Sequence, residues 1–394
     1  MFSAPARMLK AFLDGLHPDL SRTFLPWIIK HPRYLKAAIP LAHSFREATK
    51  RRDQLRSEKL RIPPVLILSV TSSCNLRCVG CYAAATGTVS QESQREPHKE
   101  NHQLDLDKWR SVLNEARQLG VFGFIIAGGE PFLYQGILEL CMEFKDRFFL
   151  IVTNGTTMNE SHFKLLRRVS NVAMIISLEG DASATDSRRG PGVYKRIMSS
   201  FKRLWAIGVL TGFSATVTRE NFEYWADTES LHRLWKKGLR IGVFIEYIPS
   251  NNGNDGTRQS LSPCSDEGLM LNQEERARFR YHVIQYRENN PMVVIHSPND
   301  EKYYGGCVSA GQGFAHVTPS GDVTACPVSN LATHSLRNSS LREALASPLF
   351  IEIRKNGHLL EDHDLPCALL SHEDEVMALA RSVGAYRTDT REPV

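Results

Sequence analysis

Cys74, Cys78 and Cys81 carry the clearest chemistry in this sequence. They lie in the run Thr71-Ser72-Ser73-Cys74-Asn75-Leu76-Arg77-Cys78-Val79-Gly80-Cys81-Tyr82, directly after the apolar stretch Val65-Leu66-Ile67-Leu68. Three thiolates this close can hold three irons of a [4Fe–4S] cube and leave the fourth iron open. An open iron can bind a small molecule, so the spacing points to catalysis rather than electron storage. A zinc site usually draws four ligands from paired short spacings, and no second Cys pair stands nearby. A bacterial ferredoxin run repeats Cys every third residue and ends in Cys-Pro, which this run does not. Three close cysteines also cannot pair evenly as disulfides.

The run resembles the CxxxCxxC signature of the radical SAM (S-adenosylmethionine) superfamily, including its Cys-Asn-Leu-Arg-Cys wording. The resemblance implies that the amine and carboxylate of SAM chelate the open iron. Reductive cleavage then gives methionine and a 5′-deoxyadenosyl radical that abstracts hydrogen from substrate. Gly128-Gly129-Glu130-Pro131 matches the superfamily's GGEP motif, whose backbone holds the SAM amino group; Glu130 is a partner for the ammonium. Glycine suits such a place because it lets backbone approach a ligand closely. Thr153-Asn154-Gly155 and Ser177-Leu178-Glu179-Gly180 resemble later strand-end motifs, so Asn154, Ser177 and Glu179 become SAM-binding candidates, with a plain turn the alternative at Asn154. In Arg188-Arg189-Gly190 a cation could pair with the SAM carboxylate; Arg189 is the candidate carried forward. Tyr247 resembles the platform under adenine, although most such aromatics are core.

The elements that must position these residues show in the hydrophobic pattern. Residues 63–250 alternate short apolar runs with helical patterns, the mark of parallel βα units. Strands are predicted at Val65–Val70, Gly123–Ala127, Phe149–Thr153, Val172–Ser177, Gly212–Val217 and Gly242–Tyr247. Helices are predicted at Asp107–Leu119, Tyr134–Arg147, Glu160–Arg168, Val193–Ile207 and Tyr224–Lys237. Six such units are too few to close an eight-stranded barrel. The resemblance implies an α/β fold, a partial (β/α)6 TIM-type barrel with its chemistry at the carboxyl ends of the strands. Each motif above follows a predicted strand end.

Residues 1–62 read as a helical extension, with Met8, Leu9, Phe12, Leu13 and Leu16 at helical spacing, a dense patch Phe24-Leu25-Pro26-Trp27-Ile28-Ile29, and a further helix from Tyr34 to about Glu58 bent at Pro40. This segment holds 13 Lys/Arg and 5 Asp/Glu, a net +8 against +5 for the whole chain. A solvated surface packed on the main domain is the plain reading; an anionic or membrane-borne partner is the sharper one. Residues 84–103 read as a polar loop after the first cysteines, and 251–300 as a linker and a helix over Asn272–Glu288.

Residues 301–394 hold Cys307, Cys326 and Cys367. Phe314–Pro327 reads as a hairpin around Pro319-Ser320-Gly321-Asp322. Its spacing from Cys307 resembles the opening of SPASM and Twitch domains, which bind auxiliary iron–sulfur clusters. The dense later cysteine block of a full SPASM domain is missing. The resemblance therefore implies a small α+β Twitch-like domain with one auxiliary cluster on three cysteines, its fourth iron open or held by another residue such as Cys264. That cluster would accept an electron or anchor substrate. Cys141 reads as core.

The whole sequence thus reads as an enzyme with two iron–sulfur clusters and SAM. Its substrate would be a small molecule, a lipid or a peptide, and a flavodoxin or ferredoxin would supply electrons. A non-catalytic iron–sulfur sensor is the alternative of another class. Nucleic acid is not expected, because no recognition motif for it is present. The chain also lacks a transmembrane run and a signal-like start, so its thiols suit the reducing cytoplasm, with a peripheral membrane contact through residues 1–62.

Overall fold

The computed structural model describes residues 18–89, 103–249, 267–361 and 366–394. The pattern at Met8–Leu16, most of the polar loop 84–103 and Cys264 lie outside the described residues. The strands are β1 Val65–Thr71, β2 Gly123–Gly128, β3 Phe148–Thr153, β4 Val172–Ser177, β5 Thr211–Val217, β6 Ile241–Glu246, β7 Val293–Ser297, β8 Phe314–Val317, β9 Asp322–Thr324, β10 Leu331–Ser335 and β11 Tyr386–Arg387. All six predicted barrel strands are present, each within a residue of its expected ends. The chain folds as two compact units, one of 1–46, 138–247 and 268–297, the other of 47–137, 248–267 and 298–394.

In the first unit β3, β4, β5, β6 and β7 lie side by side in that order, every pair parallel. Parallel strands need crossovers, and the sequence supplies capped helices for them. Asn159 caps Glu160–Leu166, Asp181 caps Ala182–Arg189, and Asn272 with Glu275 forms a capping box on Gln273–Asn289. The helix expected over Tyr224–Lys237 is instead two, Phe222–Trp225 and Thr228–Lys236. Asp227 accounts for the break: its carboxylate accepts from the backbone N–H groups of Glu229 (3.2 Å) and Ser230 (3.0 Å) and starts a new helix. β7 is an addition, a seventh parallel strand after the helix Gln273–Asn289.

The two faces of this sheet differ. Phe213 stacks on Trp225 at 4.9 Å, and Phe244 meets Phe279 edge-on at 5.1 Å, so one face is covered by crossover helices. Ala173, Ile175 and Ile241 point the other way. They pack against Trp27 and Tyr34 of α1, Pro18–Lys30, and α2, Pro32–Ser57. Trp27 stacks on His31 at 4.2 Å and meets Tyr34 edge-on at 4.5 Å. Tyr34 accepts a hydrogen bond from Leu210 N–H (3.2 Å). The extension therefore covers the amino-terminal half of that face, where contacts serve stability. Further along the same strands the face turns polar at Ser177, Ser214 and Thr216.

The positive charge of the extension has a structural use. The orphan carbonyls at helix carboxyl ends attract cations. Arg22 donates to the Arg287 and Glu288 carbonyls, and Arg33 to those of Arg167 (2.6 Å) and Gly208 (2.5 Å). In the second unit Arg52 donates to the Gly120 carbonyl (2.6 Å), at the end of the helix Leu106–Leu119. The apolar patch is likewise engaged, with Leu25 3% and Trp27 8% exposed. No helix among the described residues is long and apolar enough to cross a membrane.

The second unit holds β11-β10-β9-β8-β1-β2 in that order. β1 is parallel to β2 on one side and to β8 on the other, with Val65 opposite both Gly123 and Phe314. The expected hairpin forms as β8 and β9, antiparallel, with Gly321 at φ 95° in its turn. One buried chain of hydrogen bonds fastens it to β1. Thr324 donates to the Cys326 carbonyl (3.0 Å), so its oxygen accepts from His316 Nδ1 (2.8 Å). That leaves His316 Nε2 to accept from the Ser69 hydroxyl (2.8 Å). Burial pushes the His316 pKa down to about 3, in keeping with a neutral ring.

Candidate metal centres and a polar strand-end site

The first three cysteines follow β1 in the second unit. The chain leaves the strand through an irregularity between Ser69 and Thr71. Ser73 N–H donates to the Thr71 hydroxyl (3.1 Å), and Gly80 takes φ 68° between Cys78 and Cys81. The Cys81 carbonyl accepts from Ala84 (3.1 Å) and Ala85 (3.0 Å) and opens the short helix Tyr82–Ala85. All three thiols are half-buried. Burial pushes the Cys74 thiol up to about 12, with Glu130, Cys78 and Cys81 adding to the rise through their charges. Iron binding must therefore displace protons, as metal–thiolate bonds do.

The GGEP segment ends β2 and is tied to this loop. Gly129 N–H donates to the Thr71 carbonyl (2.8 Å) and Glu130 N–H to the Ser73 carbonyl (2.8 Å). A Cβ on Gly129 would stand 2.1 Å from the Ser73 oxygen, so glycine here serves a close approach to the cysteine loop itself. Glu130 is fully buried, accepts from Phe132 N–H (3.1 Å) and starts the turn Pro131–Leu133. Gly128, Gly129, Glu130 and Pro131 thus share one unit with Cys74, Cys78 and Cys81.

The remaining SAM-binding candidates sit in the other unit. Glu179, just past β4, is 1% exposed and organises its surroundings. Arg188 and Arg189 both donate to its Oε1, at 2.6 and 2.7 Å, and Thr216 N–H donates to Oε2 (3.0 Å). Burial alone would raise the Glu179 pKa, but the two guanidiniums and the Thr216 bond outweigh it and hold the group below the usual carboxylate range. The Ser214 hydroxyl lies 3.4 Å from that of Ser177, at paired positions of β5 and β4. Sequence reasoning missed Ser214 and Thr216; their spacing of two along a strand was the available signal. Asn154 is buried in a local turn, its side-chain oxygen accepting from Thr156 N–H (2.9 Å) and hydroxyl (2.7 Å). Tyr247 is 4% exposed and donates its N–H to the Val217 carbonyl (2.9 Å).

The second cysteine trio is drawn together from distant positions. Cys307 N–H donates to the Leu360 carbonyl (2.6 Å), and Ala310 N–H to the carbonyl of Ala325, next to Cys326 (3.1 Å). Burial pushes the Cys307 thiol up to about 12, followed by the charge of Glu301; Cys367 also raises it. Burial raises Cys326 and Cys367 as well, with Cys367 and Cys307 adding to the rise at Cys326. Cys141 is buried in the core, as expected.

Among the described residues no three His, Cys, Asp or Glu side chains converge tightly enough to share one metal ion. A cube makes no such demand, because each thiolate bonds its own iron. The donor set after β1, three thiols with a glycine-backed loop, fits that arrangement.

Comparison with known proteins agrees. The family model described as the Radical SAM superfamily matches residues 68–231. The chain is 23% identical over 299 residues to the AdoMet-dependent heme synthase of Methanosarcina barkeri, covering 71% of this chain and 81% of that one. It is 25% identical over 346 residues to the PqqA peptide cyclase of Gluconobacter oxydans, covering 83% and 90%. Streptococcus suis SuiB shares the fold at a TM-score of 0.60 and 17% identity, over 90% of this chain and 84% of that one. The superfamily uses a [4Fe–4S] cluster and SAM. With its cysteine run, GGEP loop and parallel βα strands, this chain is an enzyme whose residues 68–231 match the radical SAM superfamily.

Proposed function

We propose that the enzyme holds its [4Fe–4S] cluster on Cys74, Cys78 and Cys81 and, with SAM bound there, takes a hydrogen atom from a peptide substrate. When bound, cluster and SAM supply the hard chemistry, one-electron scission of a carbon–sulfur bond and the 5′-deoxyadenosyl radical that follows. The chain's own residues bind and orient. Glu130 and the Gly128–Pro131 backbone would hold the ammonium, and Arg189, held on Glu179, would offer a guanidinium to a carboxylate. Ser177 and Ser214 offer hydroxyls for a ribose. Cys307, Cys326 and Cys367 would hold one auxiliary cluster. A cytoplasmic setting with a flavodoxin or ferredoxin as reductant suits these thiols.

The observation that carries the superfamily chemistry is the cysteine loop bonded to the GGEP backbone. The peptide reading is supported by the PqqA peptide cyclase likeness, which spans most of both chains. The heme synthase likeness supports a second reading, a tetrapyrrole-type substrate in cofactor synthesis. The lipid or membrane-borne substrate loses its main support, because the basic, apolar extension is engaged inside the chain. The test is anaerobic reconstitution with SAM and dithionite. Release of 5′-deoxyadenosine by the intact protein, and none from C74A, is expected. A protein that binds iron and SAM but releases none would overturn the reading in favour of a sensor. Deuterium transfer into 5′-deoxyadenosine from a labelled peptide encoded beside the gene, and not from a labelled porphyrin, decides the substrate class.

A further inference from the structure

We propose that the outer face of the crossover helices Glu160–Leu166, Val193–Ala206 and Thr228–Lys236 is a docking surface for an anionic lipid membrane. Residues 160–168, 193–206 and 228–240 hold 11 Lys/Arg and 2 Asp/Glu, a net +9 where the whole chain is +5. The helix Val193–Ala206 carries Lys195, Arg196, Lys202 and Arg203 and no acid. Helix dipoles favour cations in a last turn, but Lys195 and Arg196 stand at the opposite, amino end. The three helices adjoin. The Arg203 guanidinium covers the Phe163 ring at 3.7 Å and pairs with Glu160, and Lys237 Nζ reaches Met198 Sδ at 3.5 Å. Lys195, Lys202, Lys236 and Lys237 are exposed and form no ion pair among the described residues.

Trp205 lies within this charge and is 66% exposed, whereas Trp27 is 8% and Trp109 and Trp225 are 0% exposed. Its ring edge rests on Gly238, where a Cβ would stand 2.2 Å from Cδ1. An exposed indole among lysines suits the boundary between headgroups and acyl chains, with the ring in the boundary and the cations at the phosphates. The charge is spread over three neighbouring helices rather than gathered in a cleft, so it matches an extended layer of phosphates rather than a single anion. These side chains are separate from Arg22, Arg33 and Arg52, which serve helix ends, and from the strand-end site at Glu179. The surface fixes where the enzyme is held and leaves the substrate reading as it stands.

The experiment floats the full chain with vesicles of phosphatidylcholine alone and of equal parts phosphatidylcholine and phosphatidylglycerol. Protein should rise with the anionic vesicles only, and less of it as salt is raised. K202Q and K236Q should each weaken that binding about fivefold, the worth of one cation at such a surface. K355Q, which changes an exposed lysine of the other unit, should bind as wild type does. Brominated phosphatidylglycerol should quench part of the tryptophan fluorescence of wild type and not that of W205F. All these side chains are exposed, so the variants should melt as wild type does. No flotation, equal recovery with both vesicle types, K202Q and K236Q binding like wild type, or quenching unchanged in W205F would overturn the assignment. Binding to soluble polyglutamate but not to vesicles would also overturn it and give the face to an acidic protein.

Discussion

Replacing Glu179 by Gln tests whether this carboxylate organises the strand-end site. The substitution keeps shape and keeps an acceptor for Thr216 N–H, but it removes the charge that pairs with Arg188 and Arg189. Removing one partner of a buried ion pair costs roughly 3–5 kcal/mol. Glu179 is 1% exposed while the arginine side chains keep 17% and 11%, so water relieves part of the penalty. The low end applies, about 3 kcal/mol near neutral pH. For a unit of roughly 150–250 residues each kcal/mol moves the melting midpoint by about 2–4 °C, which gives a fall of about 6–12 °C. The pH dependence supplies a second check. The folded-state pKa of Glu179 is depressed, so as pH falls the unfolded chain takes up the proton first. The stabilisation is full above the unfolded pKa and is lost as pH falls through the folded one. The difference between wild type and E179Q should therefore shrink in acid. Denaturation followed by tryptophan fluorescence at pH 7 and below pH ~4 measures both. A difference under about 1 kcal/mol at pH 7, or one that does not narrow in acid, would refute the argument.

Trp27→Ala should destabilise the unit carrying β3–β7 by about 3–5 kcal/mol, read as a lower urea midpoint, because it empties the packing beneath Ala173, Ile175 and Ile241. Gly129→Ala should lower iron bound at the first cysteine trio, since the new methyl meets the Ser73 oxygen; Gly357→Ala, with open space around it, should bind iron as wild type does. Equal iron in the two variants would contradict the role given to that close approach. His316→Phe should cost about 1–3 kcal/mol by leaving the Ser69 hydroxyl without its acceptor. Because burial lowers the His316 pKa, the unfolded chain binds more protons below about pH 6.5, so wild-type stability should fall from there towards pH 3. H316F should show a shallower acid limb in a melting series, and an unchanged slope would count against a neutral buried imidazole.

Cys74, Cys78 and Cys81, the GGEP loop and the six parallel strands were legible in the sequence because each is a local pattern. A cluster loop needs its thiols close along the chain, a phosphate-free tight turn needs glycine, and a buried parallel strand needs a continuous apolar run. Helix ends were less legible: Asp227 caps a new helix inside a stretch whose hydrophobic period does not change. What the chain alone could not decide is which distant groups meet. That β8 pairs with β1, joining the His316 chain to Ser69, depends on a partner strand some 250 residues away. The fate of the basic extension is similar. Its charge reads like a binding surface until helix carboxyl ends arrive to receive Arg22, Arg33 and Arg52. Short-range chemistry is written in spacing, whereas burial, ion pairing and ligand sets arise only when long-range contacts exclude water from particular groups.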